Sequence, residues 1–289
     1  MTRWFKGIDF ASRADNVGLC YLEVADRTLT VHHEDRQESF EGTGIDCPFG
    51  TSLGFWKLLC NEDPGHSEDG FKTRHTERWL RNHLSQYQTN GYWQHRVAAN
   101  PQLYLNQTAH VHPAVGFQII PGFLDWFRNQ VGDSQFGAAI RAARRGENAS
   151  VEAHPRAFLC SAVERIWRSM NPPGHELHEN TLRAVVQYRD ARNVSRVNNR
   201  RRVYQLLQQH AQAWLGRGYQ LAEAQETLFS TDHKFDAWLC ALTAFAHTEQ
   251  LTIGWQSAEM ETGGPITEAE VDIEGHILIL KQERPTARA

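Results

Sequence analysis

Four carboxylates stand where a folded chain can bring acids together. Asp9 closes the apolar run in "RWFKGIDFAS", Asp46 closes the one in "GTGIDCPFG", Glu152 lies in "ASVEAHPRAFL", and Asp236 enters an apolar helix one turn after Asp232. Residues 237–246 are apolar nearly all round, so that helix is packed on several sides, and an unpaired carboxylate entering it is costly to desolvate. Asp232, four residues earlier, shares its face with Cβ atoms about 5–6 Å away. Acids gathered at one sheet edge repel one another and protonate unless cations intervene. Mg²⁺ or Mn²⁺ meets that need, because such ions favour oxygen ligands, accept one or two carboxylates each and keep positions for water and phosphate oxygens. Two of them about 3.5–4 Å apart activate a water and stabilise the leaving oxygen of a phosphodiester. The expected metal ligands are Asp9, bridging, with Asp46, Asp232 and Asp236; Asp9, Asp46, Glu152 and Asp236 form the expected catalytic set.

Each acid also has an ordinary reading. Aspartate at a strand end is a common turn former, Asp232 is a suitable N-cap, and Glu152 can pair with Arg156 or Arg165. The set is more specific than its members, and the chemistry requires that they converge.

The elements that must position them follow from local pattern. Residues 4–9, 17–25 and 28–33 read as three short strands joined by "ASRADN" and "DR", whose turn-forming residues predict an antiparallel meander. A fourth strand ends on Asp46, with Pro48 stopping it. Residues 50–147 carry mostly helical patterns broken by Gly and Pro, and read as an inserted helical lobe. A buried strand ending near Glu152 hands over to a helix containing Phe158, Val163 and Trp167. A long helical region spans about 181–217, the last helix begins near Asp232, and "LTIGW" and "HILIL" predict short strands at a sheet edge. The whole, 1–289, reads as a single domain.

Arg189, Arg192, Arg196, Arg200, Arg201 and Arg202 recur at three and four, a stripe that suits phosphates and equally a solvated helix face. Of fifteen histidines, His154 and His233 lie near the proposed centre and are candidate proton carriers. Most of the nine tryptophans lie on apolar helix faces, where they read as core. No G-x-S-x-G, H-E-x-x-H or G-x-x-x-x-G-K-[ST] stretch occurs, which removes the hydrolase elbow, zincin and P-loop readings.

At 289 residues and 40% hydrophobic content the chain can bury a sizeable core. Five dispersed cysteines without a C-x-x-C pair suggest neither a disulfide framework nor a thiolate zinc site, and fit a reducing cytoplasm. With no secretory leader and no run of 18 apolar residues, no membrane association is expected. A net charge of −4 gives no global attraction for nucleic acid, so such a partner needs a local patch.

Taken in order, "GIDFAS", "GIDCPFG", "RHTE", "VEAHPRAFL", "DAWLCALTA" and "EGHILIL" resemble the motifs of domain-of-unknown-function family 429, predicted ribonuclease-H-like nucleases. The resemblance implies an α/β fold with a ribonuclease-H-like core: a mixed five-stranded sheet whose first three strands are antiparallel, helices on both faces, and a large helical insertion. It places Asp9, Asp46 and Asp236 at the family's acidic positions, Glu152 in its Glu-x-x-Pro strand, and Arg74 with Glu77 in its Arg-x-Thr-Glu element. His276 stands where the family's usual Trp follows Glu-Gly. The expected function is metal-dependent nuclease activity with Mg²⁺ or Mn²⁺ on nucleic acid. The alternative is a non-catalytic binding or scaffold protein that keeps the fold. Nucleotide hydrolysis is disfavoured, because "FASRADN" after Asp9 lacks the glycines that wrap a phosphate.

Overall fold

A computed structural model of the chain describes residues 1–10, 17–36, 38–50, 53, 56, 57, 60, 74–78, 113–169, 184, 185, 187–189, 194–216, 218–254 and 267–281. The first three strands, β1 (Arg3–Asp9), β2 (Gly18–Ala25) and β3 (Thr28–His32), form the expected meander. Ala25 pairs with Thr28, and the two residues between them, Asp26 and Arg27, take positive φ of 48° and 63°. That is the backbone a two-residue hairpin needs to match strand twist.

β4 (Gly42–Asp46) returns parallel to β1, and β5 (Ser150–Glu152) lies parallel to β4. The sheet order is β5-β4-β1-β2-β3-β6. The expected five strands are therefore six. The added strand, β6 (Gln220–Leu221), pairs in parallel with β3, and two residues are too few to carry a readable alternation.

Helices cover both faces. On one side, α1 (Pro113–Val131) and α2 (Asp133–Arg144) pack Phe123, Phe127, Ile140 and Ala143 against Ile8 and Ile45. These two helices are the larger described part of the expected helical insertion, with 50, 53, 56, 57, 60 and 74–78 also described; most of the remainder of 50–147 lies outside the described residues. On the other side, α3 (Pro155–Ser169), α4 (Val194–Gln209), α5 (Ala211–Trp214) and α6 (Asp232–Thr248) build the main core. The expected helical stretch 181–217 is broken near His210, between α4 and α5.

Helix α6 is the axle of this layer, with every residue from Phe235 to Ala246 buried. Thr231 caps it, its hydroxyl accepting the Lys234 N–H at 3.2 Å, so Asp232 is the first helical residue and not the cap. The helix lies on β1 and β4 because those strands offer glycine where it crosses. A Cβ on Gly7 would fall 1.7 Å from the Ala237 carbonyl oxygen, and one on Gly44 would fall 1.9 Å from that of Cys240. Gly7 and Asp9, and likewise Gly44 and Asp46, are two residues apart in a strand and share a face. The glycines that admit the helix thus aim the aspartates at its first turns.

The tail forms bridges rather than a strand of its own. Leu278 bridges Ala153, beyond β5, and Leu280 bridges Thr252. It follows α7 (Glu268–Glu274), which opens with a capping box of Thr267 and Glu270. Among the described residues no helix is long and apolar enough to cross a membrane.

Candidate functional site

β1 and β4 are parallel neighbours whose chains leave the sheet in opposite directions, β1 towards β2 and β4 towards β5. Crevices outside the carboxyl ends of such strands are where open α/β sheets take ligands. Asp9 and Asp46 are the last residues of these strands and pair directly in the register. Asp236 arrives from the second turn of α6, buried to 1% exposure.

One guanidinium serves all three. Arg189 donates from Nε to Asp236 Oδ2 and from Nη2 to Asp46 Oδ2 at 3.2 Å, and Nη2 lies 4.0 Å from Asp9 Oδ1. Nη2 also pairs with Asp236. The hydroxyl of Tyr188 donates to the other Asp236 oxygen at 2.7 Å. On the outer side His233 Nδ1 contacts Asp9 Oδ2 at 2.6 Å, and the imidazole is 42% exposed. Its Nε2 makes no hydrogen bond among the described residues.

Three carboxyl groups against one guanidinium leave an excess of negative charge in a largely dehydrated place. Burial, then the charges of Asp46 and Asp236, drive the Asp9 carboxyl well above the usual carboxylate range. Burial likewise raises Asp46 and Asp236, with Arg189 opposing the rise. Burial opposes the charge on Arg189, but Asp236 and the other acids outweigh it and hold the guanidinium firmly protonated. The hydroxyl of Tyr188 is raised by burial and then by Asp236, so it stays a donor.

Glu152 is bonded outside this cluster. Glu152 is held by a buried network: Arg74 binds it in bidentate fashion, Nη1 to Oε2 at 2.9 Å and Nη2 to Oε1 at 2.7 Å, and the Phe49 N–H donates to Oε2 at 2.9 Å. The same Arg74 pairs through Nε with Glu77 at 2.9 Å and donates to the Glu274 carbonyl at 2.9 Å. The expected pairing of Glu152 with Arg156 or Arg165 gives way to Arg74, from a segment that sequence separation hides. Asp232 makes no hydrogen bond or ion pair with the cluster among the described residues; the backbone of α6 that meets the strands is that of His233, Ala237 and Cys240. His154 Nδ1 accepts the Ala157 N–H at 3.3 Å at the start of α3, and burial, then Arg189 and Arg156, hold its imidazole neutral with a pKa of about 3.

The arginine stripe dissolves into separate tasks. Arg189 enters the acid cluster; Arg200 donates to the carbonyls of Phe229 at 2.8 Å and Tyr188 at 3.1 Å; Arg201 pairs with Glu226. Arg192 lies outside the described residues. Tyr188 and the counter-ion role of Arg189 had no sequence signature, since "QYRD" matches no spacing rule and its partners lie more than 40 residues away.

The cluster suits a hard divalent ion in donor chemistry, being three carboxylates with, among the described residues, one guanidinium between them. Among the described residues, however, no three His, Cys, Asp or Glu side chains are arranged to hold a metal ion. The guanidinium of Arg189 sits where their oxygens would otherwise meet. Comparison with curated proteins and with solved structures returned no match. A family model described as "Protein of unknown function (DUF429)" matches residues 7–254, a span that includes Asp9, Asp46, Arg189 and Asp236, and the chain belongs to that family.

Proposed function

We propose that the chain is a divalent-cation-dependent phosphodiesterase of ribonuclease-H-like type acting on nucleic acid. The observation that carries this reading is the meeting of Asp9, Asp46 and Asp236 at the carboxyl ends of two parallel strands with, among the described residues, one guanidinium bonded to them. Asp9, Asp46 and Asp236 are the residues that would hold Mg²⁺ or Mn²⁺. When bound, such an ion would polarise a phosphodiester and lower the pKa of a water. Asp232 and Glu152 take no part as ligands in this reading: among the described residues Asp232 makes no hydrogen bond or ion pair with the cluster, and Glu152 is saturated by Arg74.

The chain's own groups do the rest. Asp9 accepts the Nδ1 proton of His233 and thereby orients the ring, leaving Nε2 to take or deliver a proton at the exposed edge. Tyr188 pins one oxygen of Asp236, so the other keeps a fixed direction.

The seat of Arg189 within the cluster favours a second reading, a non-catalytic binding or scaffold protein in which the arginine permanently takes the cation's place. Titration with Mg²⁺ and Mn²⁺, followed by thermal melting and by cleavage of single-stranded, duplex and branched substrates, separates the two. An ion that binds only the folded state must raise the melting temperature. The nuclease reading expects stabilisation and cleavage, both lost in an Asp9→Asn, Asp236→Asn double variant. Cleavage that survives in that variant, or no response to either ion, overturns it.

A further inference from the structure

Arg189 holds its three partners unequally. It is joined to Asp236 through two nitrogens, lies 3.2 Å from Asp46, and is 4.0 Å from Asp9. Its side chain is 29% exposed, whereas that of Asp236 is 1% exposed. The arginine side chain thus keeps contact with solvent, while the acids it bonds are held in place: Asp9 and Asp46 by the parallel ladder, Asp236 by Tyr188 and α6. A planar group with one delocalised charge spans separated carboxylates at these distances, while a small divalent ion draws oxygens to about 2.0–2.1 Å. Both cannot occupy the same place.

We infer that Arg189 is a built-in competitor for the divalent cation: it neutralises part of the acid cluster when no ion is bound and must withdraw towards solvent for the ion to enter. This rests on the reading of the cluster as a cation site and specifies how that site is regulated. The exchange moves no covalent bond. It makes cation affinity depend on the fraction of molecules in which the arginine is out, since apparent affinity falls in proportion to the competent population. A cluster covered in nine molecules of ten binds about tenfold more weakly than an open one.

The test compares Mn²⁺ binding to the full chain and to Arg189→Gln by isothermal titration calorimetry. Binding at least about tenfold tighter in the variant is the expected result. Equal or weaker binding in the variant, with Mn²⁺-dependent cleavage intact in the wild type, overturns the competitor role and leaves the proposed function standing. Absence of Mn²⁺ binding in both proteins overturns the proposed function, and the competitor role with it. Because Arg189→Gln leaves three acids uncompensated and can unfold, a second measurement uses the wild type alone. Modification of Arg189 by phenylglyoxal, followed by peptide mass spectrometry, speeds up on saturation with Mn²⁺ if the guanidinium is released, and an unchanged or slower rate overturns the inference.

Discussion

Asp9 and Asp46 are direct neighbours in a parallel ladder, both on the face that α6 covers, and both carboxyl groups lie at Nη2 of Arg189, 4.0 Å and 3.2 Å away. Two ionised acids so placed repel one another, and here Asp236 adds a third charge. Burial beside those charges raises the Asp9 carboxyl to about 10, so at pH 8 it is held protonated, and Asn replaces that neutral acid with an amide that can still donate to Asp46. In chelator at pH 8, Asp9→Asn is expected to melt at or above the wild-type temperature although it loses its contact with His233. A destabilisation greater than about 1 kcal/mol, the scale of one ordinary hydrogen bond, would contradict the excess-charge account.

Asp236 behaves oppositely. It accepts from Tyr188 and pairs with Arg189 in a place closed to water, so Asp236→Asn leaves the arginine without its closest partner. Removing one member of a buried pair costs about 3–5 kcal/mol. Urea denaturation in chelator is expected to place Asp236→Asn well below Asp9→Asn in stability, and equal midpoints would refute the asymmetry.

Glu152 and Arg74 are tied to each other, and through Arg74 to Glu77 and the end of α7, in a network with exposures of 4% and below. Glu152→Gln is expected to cost about 3–5 kcal/mol by the same reasoning. It should leave Mn²⁺ affinity at the acid cluster unchanged. A loss of cation binding with the fold retained would return Glu152 to the site.

The parts of the fold legible in sequence were those with local or periodic signals. Turn residues gave the meander of β1 to β3, the apolar block 237–246 gave α6, and Asp9, Asp46 and Asp236 announced themselves by standing at element ends. What stayed hidden depends on the third dimension. Pairing of Asp232 with Asp236 is correct as helix geometry, yet the strand-facing side of α6 is decided by which residues sit over Gly7 and Gly44, and that favours His233. Arg189 reaches the acids, and Arg74 reaches Glu152, from segments whose packing no spacing rule predicts. β6 is too short to alternate.

The crossing of α6 over the strands gives a prediction independent of charge. Any Cβ at Gly44 would lie 1.9 Å from the Cys240 carbonyl oxygen, a backbone atom that cannot rotate away. Gly44→Ala is expected to cost about 1–3 kcal/mol or more by overpacking. It should also lift Asp236 from the cluster, so Mn²⁺ affinity falls together with stability. A variant with wild-type stability would show that the helix does not sit where these glycines put it.

Buried histidines supply the acid sensitivity. His276 is 2% exposed; its Nε2–H donates to the Ile253 carbonyl at 3.1 Å, which leaves Nδ1 unprotonated beside the Thr76 hydroxyl at 3.5 Å. Burial lowers its pKa from 6.5 to about 4. Because the unfolded chain takes up this proton first, stability is intact above pH 6.5 and is lost as pH falls through the interval down to about 4. At about 1.4 kcal/mol per unit, the histidine contributes a loss of roughly 3 kcal/mol across that interval. The buried acids act in the other direction, since their raised pKa values make the folded state bind protons as pH falls. Comparison of wild type with His276→Gln isolates the histidine: the difference in unfolding free energy between the two is expected to change by that amount from pH 7 to pH 4. A difference independent of pH would mean that His276 already carries its proton in the folded protein.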